Sequence, residues 1–414
     1  MGRRLHAACA LGLGLGFTTA CSIDDRVLEV GPADAADAGE TTDAADAHAP
    51  GDAMTPEDAP GEAAATIDAA PDAPLEAAAG DGGGPCTAAD AAACGCDAYH
   101  PLTNGYCVAR FVPEIIPGAN LLAVTGTSAS DVYAIDFTHV YHSTGTGKWT
   151  VAFTVPDSGD FSYQSLSAIW ADTSNPGTVL LAGPMGSIVD TTDGATWTQR
   201  ADPTTFGANY DVITGIPGNY AFALGDPYAY ATHTLAGWAG LGMTALSESL
   251  LSAATYDTGN VTLLAGGSAG NIYSFNSSQQ FVSTFSTGWT SVSSMWASSD
   301  GAAIYAVGPG GGVASATSCP ATGSPSAPIC NWKAETSGTK EGLAGVFGVP
   351  SGSGKYTLFA AGNSGVLLTS TSGSGTWSTV PTNSTDNLAG VWAASPSNVF
   401  LVTGGNTVLH FMGP

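Results

Sequence analysis

Residues Asn387–Phe411 read NLAGVWAASPSNVFLVTGGNTVLHF, and variants of this stretch recur from about residue 121 to the C-terminus. Leu388–Trp392 is an apolar run, short enough for a strand and unbroken enough to be buried on both faces. A small polar turn, Ala393–Asn398, leads into the β-branched and aromatic run Val399–Thr403. Gly404 and Gly405 close that run, where a tight hairpin calls for positive φ. Thr407–Phe411 supplies a third strand, and earlier copies add a fourth opened by tryptophan, as in GKWTVAF (147–153) and ATWTQR (195–200).

Aligned by the end of the first strand, the copies fall at Val124, Ile169, Ile213, Ala254, Met295, Val346 and Val391, in steps of 45, 44, 41, 41, 51 and 45 residues. That period belongs to four-stranded propeller blades. The long step holds an insertion between Cys319 and Cys330. The pattern therefore predicts an all-β fold, a seven-bladed β-propeller of four-stranded blades over residues 106–414. The last copy stops at Pro414 without its tryptophan strand, which would leave raw sheet edges. The extended run Tyr106–Ile116 is expected to supply that missing strand and close the ring from the N-terminal side.

Ahead of the repeats the composition changes twice. Residues 1–21 carry Arg3 and Arg4, an apolar stretch from Ala7 to Phe17, and small residues before Cys21, as in an export signal. Thr-Thr-Ala-Cys resembles a bacterial lipoprotein box, which implies lipidation of Cys21; the alternative is plain secretion with cleavage nearby. Ser22 after the cysteine resembles an outer-membrane address, and no other stretch approaches the ~20 apolar residues of a spanning helix. Residues 22–84 hold 16 of the chain's 35 carboxylates against Arg26 as the one basic residue. Nearly devoid of aliphatic and aromatic side chains, this segment is expected to be a disordered, self-repelling acidic linker, and much of the net charge of -26 resides there.

Residues 85–107 form a small cysteine-rich segment. With Cys9 in the signal and Cys21 as the lipid site, Cys86, Cys94, Cys96, Cys107, Cys319 and Cys330 remain, an even number that points to disulfides in an exported chain. Cys319 and Cys330 flank one loop and are expected to pair; the other four allow three connectivities. A zinc reading with His100 is disfavoured by the Cys-x-Cys spacing and the oxidising compartment.

The stretches TTDGATW (191–197), STSGSGTW (370–377) and STGTGKW (143–149) resemble the Asp-box of BNR-type repeats, found in sialidases, photosystem assembly factors and bacterial surface lipoproteins. The resemblance covers residues 106–414. It departs at Asp193, one residue too close to its glycine, and at Ser372 and Thr144, which replace the acidic residue. It implies a structural turn between third and fourth strands, so Asp193 is expected to be scaffold. Sialidase chemistry in that family needs three arginines around a substrate carboxylate, and the predicted ring has only Arg110 and Arg200. The same scarcity disfavours nucleic acid. His139, His142, His233 and His410 lie in or beside third strands of different blades, which favours packing roles over a shared metal.

In this connectivity the hairpins between second and third strands share one face with the links between blades. Asp136, Phe137, His139, Met185, Asp226, Tyr228 and Tyr230 lie on the hairpins, and Asp160, Phe161, Tyr163, Phe206 and Tyr210 on the links. Aromatics and carboxylates there, where glycine would suffice, point to ligand binding. The best reading is a non-catalytic, surface-tethered module binding a protein or glycan at the cell envelope: a monomer, without cofactor or metal, held to the membrane through its N-terminal lipid. The alternative is a carbohydrate-active hydrolase or lyase using carboxylates and tyrosines of that face.

Overall fold

The computed structural model describes residues 102–103, 106–107 and 111–412, except 157–164, 201–206, 227–229, 235–236, 243–245, 276–279, 318 and 320–329. The export signal, the acidic linker and Cys86, Cys94 and Cys96 lie outside the described residues.

Each repeat folds as a four-stranded antiparallel sheet in sequence order. The first strands are Ala123–Ser128, Ala168–Ala171, Tyr210–Ile216, Leu250–Asp257, Ser294–Ala297, Leu343–Gly352 and Leu388–Ser395. They touch one another in cyclic order, the seventh against the first, so they line the axis of a closed ring. The protein is a seven-bladed β-propeller. Second strands are covered on both faces by flanking blades, which is why Val179–Ala182 and Ile304–Gly308 are buried at every position and carry no polar alternation. Outer strands reach the rim, and Thr198–Arg200 is exposed throughout.

The ring closes as the incomplete last repeat requires. Phe111–Ile115 lies antiparallel to Thr407–Met412, from the pair Phe111 with Phe411 to Ile115 with Thr407, and forms the outer strand of blade 7. This strand is shorter than the expected Tyr106–Ile116, because Tyr106–Cys107 pairs instead with Leu102–Thr103. A buried clasp fastens the joint. Glu114 accepts a hydrogen bond from Trp149 Nε1 of blade 1 at 2.6 Å and lies 2.8 Å from Nδ1 of His410, which is 1% exposed and stacks on Phe400.

Outer strands meet the next blade in a repeated way. The Trp377 indole donates to Glu335 just as Trp149 donates to Glu114, whereas Trp197 stacks on Phe153 and Trp332 on Phe285. Asp193 caps the turn that presents Trp197, accepting the Thr196 and Ala195 N–H groups at 2.6 and 2.9 Å. Those bonds, from Thr196 first and Ala195 next, hold its carboxyl well below the ordinary range.

Three sequence expectations need correction. The first strand of blade 7 runs on to Ser395, so the turn expected over Ala393–Asn398 shrinks to Pro396-Ser397. Neither Gly404 nor Gly405 has positive φ; their loop is held by links, with Gly404 N–H donating to Asn387 and Gly405 accepting from Leu121 N–H. Strand register puts Ala253, not Ala254, at the repeat position of blade 4, because Leu250 pairs with Gly267 as Tyr210 pairs with Gly225. The Cys319 and Cys330 sulfurs face each other with Cα atoms 4.2 Å apart.

Candidate ligand-binding channel

The inner strands surround a channel with a cavity of about 530 Å³. Two positions of the repeat decide its chemistry. The first is a β-bulge near the start of the inner strand, where one residue drops out of register with the second strand. A bulge re-aims its extra side chain, and the bulged residues Asp211, Leu251, Ala344 and Ala389 all line the cavity. Ser167 and Ser293, at the equivalent places of blades 2 and 5, line it too. Asp211 is thus the one carboxylate on the wall. It makes no hydrogen bond or ion pair among the described residues; its side chain is exposed to the open channel, yet partial desolvation by the surrounding wall first and the Asp226 charge second raise its pKa.

The second position lies three residues further along the strand. It holds Trp170, Trp296, Phe347 and Trp392 in blades 2, 5, 6 and 7, all lining the cavity. Each indole lies over a glycine of the next blade: a Cβ on Gly215, Gly348 or Gly126 would come within 2.6, 2.5 or 2.7 Å of Trp170, Trp296 or Trp392. Trp296, Phe347 and Trp392 form a continuous arc, with ring centroids 6.4 and 6.3 Å apart, and Tyr356 packs edge-on against Trp296. At the same position blades 1 and 3 carry Thr125 and Thr214 and blade 4 carries Ala254, with the hydroxyl of Thr255, one residue further on, 3.4 Å from that of Thr214. The channel therefore has an aromatic side and a hydroxyl and carboxylate side.

None of the described residues singled out in the sequence lines this cavity; they sit on the hairpins and links of their own blades. Phe137 and Met185 project into solvent, each 53% exposed. Met185 occupies a left-handed conformation, φ 56°, matched by Gly310 and Ser364 in sibling hairpins. Asn209 draws Met185 and Asp226 together, accepting the Met185 N–H at 2.9 Å and donating to Asp226 Oδ2 at 2.7 Å. Asp136 is buried and engaged within its own hairpin: it accepts from Thr138 N–H, His139 N–H and the Tyr141 hydroxyl. Burial pushes its pKa up, but those bonds and the His139 charge outweigh it and hold the carboxyl low. His139 is half-buried beside it, and Tyr210 is fully buried in the core between blades 2 and 3. Tyr230 opens the third strand of blade 3, and Asp160, Phe161, Tyr163, Phe206 and Tyr228 lie outside the described residues.

The four histidines are not brought together. His139 faces Asp136, His142 faces Asp131, His410 faces Glu114, and His233 packs on Trp238. No group of three or more potential metal ligands occurs among the described residues. Sequence reasoning passed over Asp211 and the aromatic arc. The signal was there in the repeat alignment, where position 211 alone is charged among 122, 167, 211, 251, 293, 344 and 389.

Neither known protein families nor curated proteins match the chain. Solved structures do. YCF48 bound to D1 peptide superposes with a TM-score of 0.55 at 16% identity, covering 74% of this chain and 97% of that one. YCF48 from Cyanidioschyzon merolae gives 0.56 at 17%, over 73% and 99%. Virginiamycin B lyase from Staphylococcus aureus gives 0.59 at 10%, over 73% and 98%. At such identities the likeness is one of fold.

Proposed function

We propose that this chain is a binding propeller that holds a polypeptide partner at the mouth of its channel, and that it works tethered outside the cytoplasm. The observation that carries this reading is the channel wall itself. An aromatic arc, packed against the core on one side and lining the channel on the other, shares the wall with hydroxyls and one carboxylate without a protein partner, a lining suited to hold a side chain. The propeller bound to D1 peptide lends support as an example of this architecture used to hold a peptide. Export and anchoring rest on the sequence: the apolar leader, Cys21 as lipid site, the acidic spacer of residues 22–84 and the BNR-like repeats of an envelope lipoprotein. A disulfide between Cys319 and Cys330 belongs to the same proposal, since an oxidising compartment is needed to keep it.

The test places a photo-crosslinking amino acid at Met185 or Phe137 and, as a control, at Lys333 on the rim. Crosslinks to one envelope protein from the first two positions only are expected; equal crosslinking from Lys333 would overturn the reading. Mass spectrometry of the mature N-terminus should show an acylated Cys21, with the Cys21→Ser chain released into the medium.

One observation favours a hydrolase or lyase as a second reading: two carboxylates, Asp211 on the channel wall and Asp226 hydrogen-bonded to Asn209, lie close enough to interact, and the Asp226 charge helps to raise the Asp211 pKa. Release of reducing or unsaturated sugar from envelope glycans, lost in Asp211→Asn, would establish it.

A further inference from the structure

Six of the seven blades line the channel with the residue at the bulge position and all seven with the one three residues deeper, so a departure from the repeat marks what the ring is built to distinguish. At the mouth the departure is Asp211. Its equivalents at 122, 167, 251, 293, 344 and 389 are leucine, serine or alanine. The bulge aims it into the cavity, and Asp226 of the adjacent hairpin adds a second negative charge close enough to disturb it. No lysine or arginine lines the channel among the described residues. Deeper by three residues, about 10 Å along a strand, four of the seven blades carry an aromatic residue, and Trp296, Phe347 and Trp392 follow one another along the wall, the first two half-buried and Trp392 packed beneath with 5% exposure.

A wall of this kind selects for charge and shape together. A carboxylate without a protein partner, open to the channel, is free to pair with an incoming cation, and an ammonium or guanidinium also favours aromatic faces. The apolar surface below rewards a bulky neighbour on the same ligand. We infer that the channel is a binding site for a basic side chain, lysine or arginine, of a partner polypeptide, with the cation at Asp211 and an adjoining apolar or aromatic residue on the Trp296–Phe347–Trp392 arc. This rests on the reading that the channel mouth takes a polypeptide, and adds the chemistry that it recognises.

The test is a titration of the full chain with acetylated, amidated tripeptides: Phe-Lys-Phe, the same peptide with norleucine at the centre, and the same with glutamate. Tryptophan fluorescence and calorimetry serve as readouts. The lysine peptide is expected to bind roughly tenfold or more tightly than the norleucine peptide. Asp211→Asn should abolish that preference, and Asp386→Asn, a charge on a link elsewhere, should leave it intact. Equal binding of lysine and norleucine peptides overturns the inference but leaves a polypeptide-binding mouth standing. So does a preference that survives in Asp211→Asn, or one that Asp386→Asn removes as effectively. Binding of none of the three peptides, while the Met185 crosslink persists, also overturns it; failure of both experiments removes the polypeptide reading as well.

Discussion

Asp211 shows at the scale of one residue how a channel charge weighs on the fold. A carboxyl whose folded-state pKa is raised contributes stability that is fully present below its unfolded value and is lost as pH rises through the folded one. Asp211→Asn is therefore expected to raise Tm at pH 7 by a small amount, about 1–2 °C once solvent screening is allowed for, with the gain vanishing below about pH 3.9. Calorimetry at both pH values checks it; an unchanged or lower Tm at pH 7 would mean that the wall does not disfavour the charge. The glycines under the indoles make a second residue-scale case. Gly348→Ala drives a Cβ to 2.5 Å from the Trp296 ring, and the overpacking should cost about 1–3 kcal/mol in urea denaturation. In Trp296→Leu the same substitution should cost much less, since the clash is with the indole.

Among the elements, the closing strand Phe111–Ile115 carries the most consequence for its length. Glu114 satisfies both Trp149 and His410 from a buried position, so Glu114→Ala leaves a buried indole N–H and imidazole without partners. A loss of about 3–5 kcal/mol is expected from breaking that joint. Glu114→Gln, which retains an acceptor for Trp149, should lose less; equal losses in urea denaturation would show that the clasp acts only by volume. Existence of the closing strand was legible from an incomplete last repeat and an unassigned extended run before the first. Its length was not, because the choice between pairing with Thr407–Met412 and with Leu102–Thr103 is made by neighbours distant in the chain. The blade 4 slip has a similar origin: Gly266 and Gly267 offer two matches, and only the pairing of Leu250 selects one.

For the whole molecule, closure between the two ends of the described chain makes a specific demand. Phe111 pairs with Phe411, so the outer strand begins where the last third strand ends. A circular permutant joining Met412 to Phe111 through a short turn, with new termini opened in the 320–329 insertion, should fold to a monomer with one cooperative transition. Deleting residues 382–412 instead should bare the apolar faces of blades 6 and 1, leave Phe111–Ile115 without its partner strand and give aggregates. Size-exclusion chromatography and thermal melts distinguish the outcomes, and a soluble, cooperative deletion variant would mean that the ring needs no seventh blade.

The sequence by itself determined the number of blades, the order of strands within each and the need for a strand from the N-terminal side. All of these follow from a local repeat of apolar runs and turns, which any copy displays without reference to the others. It also marked the hairpins that carry Phe137, Met185 and Asp226. Only the tertiary structure decided that Asp136 is tied up within its own hairpin and Tyr210 buried in the core, and that Asp211 and three aromatics from blades 5 to 7 line one cavity. Those residues come from separate repeats, each unremarkable in its own strand. What a single strand cannot encode is which neighbours the closed ring sets across the channel, and that arrangement makes a carboxylate without a partner and an arc of rings into a candidate site.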